Sequence, residues 1–112
     1  MNRLRPLLIF QFFTAICFAE FEKDFQLKLI LAEPGDTIKL ESGLFPILGT
    51  LSMEGKEDIV IRGAGMNGTI LSFAGQVEGA QGLSITNCTN ITLEDFTVQD
   101  AKGDAIKCQY VN

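Results

Sequence analysis

The sequence has no histidine and no tryptophan, a single tyrosine (Tyr110) and three cysteines. Without histidine, and with only Cys88 and Cys108 beyond the first twenty residues, the chain lacks the ligands for a zinc centre and the cysteines for a disulfide scaffold. The near absence of tryptophan and tyrosine leaves few aromatic platforms for stacking a sugar ring. Long apolar runs are also missing: Leu7 to Phe18 is interrupted by Gln11 and Thr14 and falls short of the ~20 residues that span a bilayer. Positive charge is scarce, with 9 basic against 14 acidic residues and a net charge of −5. That balance argues against a nucleic-acid partner or an anionic membrane surface and suits plain solubility.

What is present begins with a leader. Arg3 and Arg5 precede the apolar stretch, and Cys17-Phe18-Ala19 places small residues where a signal peptidase reads. The expected division is therefore a signal peptide over 1–19, an N-terminal capping helix over 20–35 and β-layers over 36–112. The alternatives for the leader are an uncleaved anchor and a lipid-modified Cys17, although Ile16 stands where a small residue should precede that cysteine. Cleavage removes Arg3 and Arg5 and takes the net charge from −5 to −5 − 2 = −7. With the leader removed, no stable membrane span is expected. The location implied is secreted, periplasmic or cell-surface. In that oxidising setting Cys88 and Cys108 could pair, and the other reading is two small thiols filling a core.

Phe21, Phe25, Leu29 and Ala32 recur at helical spacing, with Glu22, Lys23, Asp24 and Lys28 on the other side, and Pro34-Gly35 ends the run. Beyond it the apolar residues alternate in short bursts. Strands are expected in threes: near 38, 46 and 51; near 60, 71 and 84; near 92, 97 and 106. The first step between layers is expected to be the longer one, as when a loop is inserted. Gly82 and Gly103 each open a Gly-x-x-Ile unit, and Asn90 has a counterpart in Asn112, a repeat that points to stacking. Strands this short, broken by Asn, Asp and Gly, cannot close a sandwich. Coiled, each strand pairs with the one above and below, about 4.8 Å away. Ile59 over Ile91, Ile61 over Leu93 and Ile85 over Ile106 are the expected inward columns. The predicted fold is all-β: a three-faced solenoid under a short capping helix, ending at Asn112 before a closing cap and so read as C-terminally truncated.

Glu33-Pro-Gly-Asp-Thr-Ile38, Gly43-Leu-Phe45, Val60-Ile-Arg-Gly-Ala-Gly65, Thr69-Ile-Leu71, and Asn90-Ile-Thr-Leu93 through Gly103-Asp-Ala-Ile106 carry a resemblance to the right-handed parallel β-helix of the pectin-lyase-like superfamily. It covers roughly residues 24–112 and looks like the start of such domains in secreted bacterial proteins. The resemblance implies a polysaccharide ligand held along one face, with any active site on layers beyond residue 112. If an enzyme, the chain would be a polysaccharide lyase, a glycoside hydrolase or an epimerase. The same superfold also hosts adhesins and non-catalytic repeats, so a surface or periplasmic scaffold module is the alternative.

The densest acidic group is Glu94, Asp95, Asp100 and Asp104. Paired carboxylates suit calcium or acid–base work on a glycosidic bond. No specific calcium motif accompanies them, and neither cofactor nor metal is assigned. Gly103-Asp-Ala-Ile106 resembles the Gly-Asp-Asp segment of polygalacturonases, with Ala105 in place of the second Asp, so the turn-forming role of Asp is the competing reading. Lys107, like Arg62 and Lys102, offers a cation for a uronate, set against ordinary strand alternation. Asp95, Asp100, Asp104 and Lys107 are the candidate substrate-binding residues; no catalytic residue is assigned. Asn67-Gly-Thr, Asn87-Cys-Thr and Asn90-Ile-Thr match the N-glycosylation pattern.

Overall fold

A computed structural model describes residues 20–77 and 79–112. The leader over 1–19, with Cys17, lies outside the described residues. A helix, α1, occupies 20–31. Nine short strands follow: β1 (Thr37–Lys39), β2 (Gly43–Pro46), β3 (Leu51–Glu54), β4 (Glu57–Arg62), β5 (Thr69–Ser72), β6 (Leu83–Thr86), β7 (Thr89–Glu94), β8 (Thr97–Gln99) and β9 (Ile106–Gln109).

Every third strand joins the same sheet. The orders are β1-β4-β7, β2-β5-β8 and β3-β6-β9, each three-stranded, and every pairing is parallel. The chain thus visits three sheets in turn, three times, in a parallel β-helix-like arrangement. The strand triplets read from the sequence coincide with these three turns. Alternation within each strand turns one set of side chains inward. Ile38, Ile61 and Leu93 fall in one column, Ile59 and Ile91 in a second, and Phe45, Leu71 and Val98 in a third. The middle turn is the best covered, with Ile59, Ile61, Leu71 and Leu83 at 0% exposure. Burial of each such side chain contributes roughly 1.5–3 kcal/mol.

Two expectations about register are corrected. Ile106 pairs with Leu83, and Ile85 with Cys108, so Ile85 does not lie over Ile106. The step from β6 to β9 is 106 − 83 = 23 residues, not the 21 that separate Gly82 from Gly103. Gly82 instead donates its N–H to Asp104 O and Gly103 donates to Ala80 O, because each glycine serves a close backbone approach in its own loop. A Cβ on Gly82 would stand 2.5 Å from Ala105 O. The longer step is not uniformly the first one either. β1 to β4 takes 60 − 37 = 23 residues and β4 to β7 takes 91 − 59 = 32. The extra length lies in the loops 63–68 and 73–82 of the middle turn.

The helix covers the outer edge of the first turn, where no strand is paired among the described residues. Phe25 and Leu29 are buried at 1% and 0%, and Phe21 stacks on Phe45 with ring centroids 3.8 Å apart. Polar groups complete the fit. Gln26 Nε2 donates to Ser52 O at 2.9 Å, and Ser52 N donates to Gln26 Oε1 at 2.9 Å. The side-chain amide thereby occupies the place of a neighbouring strand's peptide on the free edge of β3. One turn earlier on the helix, the Glu22 carboxylate accepts from Leu48 N and Gly49 N at 2.9 and 3.2 Å. Lys56 Nζ closes the other end, donating to Ile30 O and Ala32 O at 2.7 and 3.0 Å, where a cation also complements the helix dipole. No helix among the described residues is long and apolar enough to cross a membrane.

Gln26→Ala should therefore lower unfolding stability by about 1–2 kcal/mol, the net worth of two hydrogen bonds at a partly wet edge. Phe25→Ala should cost about 3–5 kcal/mol by leaving a cavity. Urea titrations compare them, and equal stability of Gln26→Ala and the parent would refute the edge-capping role.

Candidate binding faces

Outward side chains stack as regularly as inward ones, and the three sheets present different chemistry. On the first sheet Lys39, Arg62 and Glu94 form one column, with Thr37, Val60 and Thr92 in the next. Arg62 Nε and the Glu94 carboxylate form an ion pair within that column, both side chains partly exposed. Such a pair contributes ~0–1 kcal/mol, so it orders the surface more than it stabilises the fold. The third sheet shows Ser52, Ser84 and Lys107 beside Glu54, Thr86 and Gln109. The second shows Leu44, Ile70 and Thr97 beside Pro46, Ser72 and Gln99.

Corners hold these columns in line. Between the third sheet and the first, Gly55, Asn87 and Tyr110 occupy equivalent places with φ of 68°, 55° and 55°. Just beyond, Gly35, Asp58 and Asn90 do the same with φ of 94°, 57° and 56°. Glycine, Asn and Asp are the residues that tolerate this left-handed region. Asn90 Nδ2 donates to Asp58 Oδ1 at 2.8 Å, tying one corner to the next.

The sequence-derived candidates lie around the third turn without converging. Asp95 forms the corner between β7 and β8 with φ 62°, and its carbonyl accepts from Gly65 N at 2.8 Å. Asp100 follows β8 with φ 63°. Asp104 sits in the β8–β9 loop, where its carbonyl accepts from Gly82 N at 3.0 Å. Lys107 points outward from the third sheet, in the column of Ser52 and Ser84. Asp95 and Asp100 thus bracket β8, Asp104 is at the far end of the next loop, and Lys107 lies on another face. Glu94 turns to Arg62 on the first sheet. Among the described residues no three His, Cys, Asp or Glu side chains are grouped to hold a metal ion.

Several polar residues with structural work carried no periodic signal. Thr69, fully buried, donates its hydroxyl to Glu41 O and accepts from Ala64 N, both at 2.8 Å. Gln76, 2% exposed, reaches from the β5–β6 loop to Gln81 O at 2.8 Å and, more distantly, to Gly49 O and Thr50 Oγ1. Its Oε1 is buried with no hydrogen-bond partner among the described residues.

The two cysteines diverge. Cys88 is buried at a corner and its sulfur accepts from Lys56 N at 3.4 Å, whereas Cys108 is exposed; among the described residues both are free thiols and they are not paired with each other. A thiol reagent such as a maleimide should modify Cys108 in the native protein and Cys88 only on unfolding. Equal native reactivity, read by peptide mass mapping, would contradict the placement. Comparison of the chain with known protein families, curated proteins and solved structures finds no match in any of the three.

Proposed function

We propose that the chain is a right-handed, three-faced parallel β-helix similar to the pectin-lyase-like superfamily, exported from the cell, and that it binds or processes polysaccharide on its outward faces. Right-handed crossover is the strong rule for parallel strands joined within one sheet. The observation that carries the reading is the first-sheet column of Lys39, Arg62 and Glu94 beside the hydroxyls of Thr37 and Thr92. Rows of donors and acceptors repeat there at the inter-strand spacing of about 4.8 Å. A polymer of repeating hydroxylated units meets such a ladder with one set of hydrogen bonds per step. Lys39 and Arg62 supply charge-assisted donors to ring or carboxyl oxygens, and Glu94 accepts from hydroxyls.

The mutual pairing of Arg62 and Glu94 within the column favours the second reading, a non-catalytic scaffold or adhesin, because charges that satisfy one another are held back from a ligand.

A panel of acidic and neutral polysaccharides, tested by affinity electrophoresis, separates these readings. Retention by at least one polymer, weakened about tenfold or more in a Lys39→Ala, Arg62→Ala double variant, is expected from the loss of charge-assisted bonds. Failure of every polymer to retard the protein would leave the scaffold reading standing.

A further inference from the structure

The outer edge of the first turn is capped unevenly. Along a strand, the backbone groups of successive residues point to opposite sides. On β3, Leu51 N donates to Gly82 O at 2.9 Å, so Leu51 faces β6. Ser52 faces away, and the Gln26 amide takes both of its backbone groups. On β1, Val60 N donates to Asp36 O at 3.0 Å and Leu40 N donates to Arg62 O at 2.8 Å. Asp36, Ile38 and Leu40 therefore serve β4, and the backbone groups of Thr37 and Lys39 face the outer edge. Side chains of α1 bond to Leu48, Gly49 and Ser52 but, among the described residues, not to these two. A groove of about 440 Å³ runs beside them and touches Thr37, Ile38 and Lys39 in succession, although Ile38 is buried and its neighbours are exposed. A space that meets three successive residues of alternating direction meets the strand at its edge. The opposite wall is α1, with Leu27, Lys28 and Leu31. Leu27 is 48% and Leu31 65% exposed.

We propose that this groove takes an extended acidic peptide of another protein, which adds beside β1 as a further strand of the first sheet. Gln26 shows what the edge of this turn accepts: an amide with a donor and an acceptor side by side. A polypeptide repeats that pair at every second residue, the spacing at which Thr37 and Lys39 offer theirs. The pleat then sets the pattern of the peptide. Alternate side chains turn inward onto Leu27 and Leu31, and those between turn outward beside Lys39. Charge chooses among peptides. Lys28 and Lys39 stand on the two walls. Among the described residues no carboxylate is within ion-pair distance of Lys39, and its register partner Arg62 is committed to Glu94. Lys28 pairs with Asp24 at 3.1 Å, an exposed contact that water screens. The acid on the groove lining, Asp36, accepts from Glu33 N at 2.9 Å. A lysine on an open edge turns away basic strands, and with them a second copy of β1, which carries the same lysine. It admits an acidic strand.

Fluorescence anisotropy of a labelled Val-Glu-Val-Glu-Val peptide, titrated with the purified chain to about 100 µM, should show saturable binding. Replacing both glutamates of the peptide by lysine should weaken it about tenfold or more. Methylating one alternate set of the peptide's amide nitrogens should do the same and methylating the other set should not, because only one edge of the peptide pairs. These arms alter the peptide alone and need no protein variant. Thr37→Pro removes one outward N–H and leaves the bonds to β4 in place, as proline on a strand edge allows. It should weaken binding about tenfold with the far-ultraviolet circular dichroism unchanged. Absence of saturation, undiminished binding of the lysine peptide, equal effects of the two methylated sets, or a folded Thr37→Pro variant that binds as the parent does would overturn the proposal. So would displacement of the peptide by dextran, or a dimer of the chain alone that Leu31→Glu disrupts, since the groove would then belong to a glycan or to a second copy.

Discussion

Each turn of this chain must return one inter-strand distance above its own start, and the left-handed corner between the third and first sheets is where that requirement is met. A two-residue link, 55–56 or 87–88, joins one strand to the next in a different sheet. A reversal of φ bends the backbone that sharply, and it occurs at the first residue of the link and again just after it, at Gly55 and Asp58, then at Asn87 and Asn90. Because these corners superpose, the strands leaving them superpose too, and the inward columns and outward rows follow. Insertions are accommodated elsewhere, in the loops 63–68 and 73–82 of the middle turn, without disturbing that alignment. Tyr110 shows how strict the demand is. A bulky aromatic residue occupies the corner with φ 55°, a conformation that costs ~1–2 kcal/mol for residues other than glycine.

Parallel pairing creates its own difficulty, since among the described residues no strand pairs with the outer edge of the first turn. α1 answers with side chains rather than backbone. The Gln26 amide carries a donor and an acceptor in the same arrangement as a peptide group, and so pairs with both backbone groups of Ser52. Glu22 and Gln26 are one helical turn apart and address successive segments of the first turn, while Phe25 and Leu29 enter the core. Apolar insertion and polar edge pairing are therefore performed by one helix with two chemically different stripes.

Much of this was legible in the residues themselves. The period-two alternation of Ile59-Val-Ile61 and Asn90-Ile-Thr-Leu93 gave both the strands and their mutual register, because a slip by one residue would turn isoleucine outward. The recurrence of Phe21, Phe25 and Leu29 gave the buried face of the helix. Gly82 and Gly103 misled, since glycine marks a close approach as readily as a repeat, and here the approaches differ in the two loops. Gln26, Thr69 and Gln76 were not legible at all. Their distant partners are 26 to 28 residues away in sequence, at Ser52, Glu41, and Gly49 and Thr50, and no local pattern links such pairs. Of the candidate site, the sequence located the acidic residues but not their separation, which depends on the lengths of β8 and the loop after it.

The same regularity that aligns the core also divides the surface into chemically distinct strips. Within a stacked column each outward position meets a neighbour one layer away, close enough for opposite charges to pair and for like charges to repel. Arg62 beside Glu94 is the favourable case on the first sheet. On the second sheet three successive positions, Leu44, Ile70 and Thr97, carry no charge, so nothing in the column opposes an apolar contact from outside. A fold that generates rows thus turns a choice at a single position into a property of a whole face. Recognition by this protein should accordingly be sought on its sheets, along columns, before it is sought in any enclosed cavity.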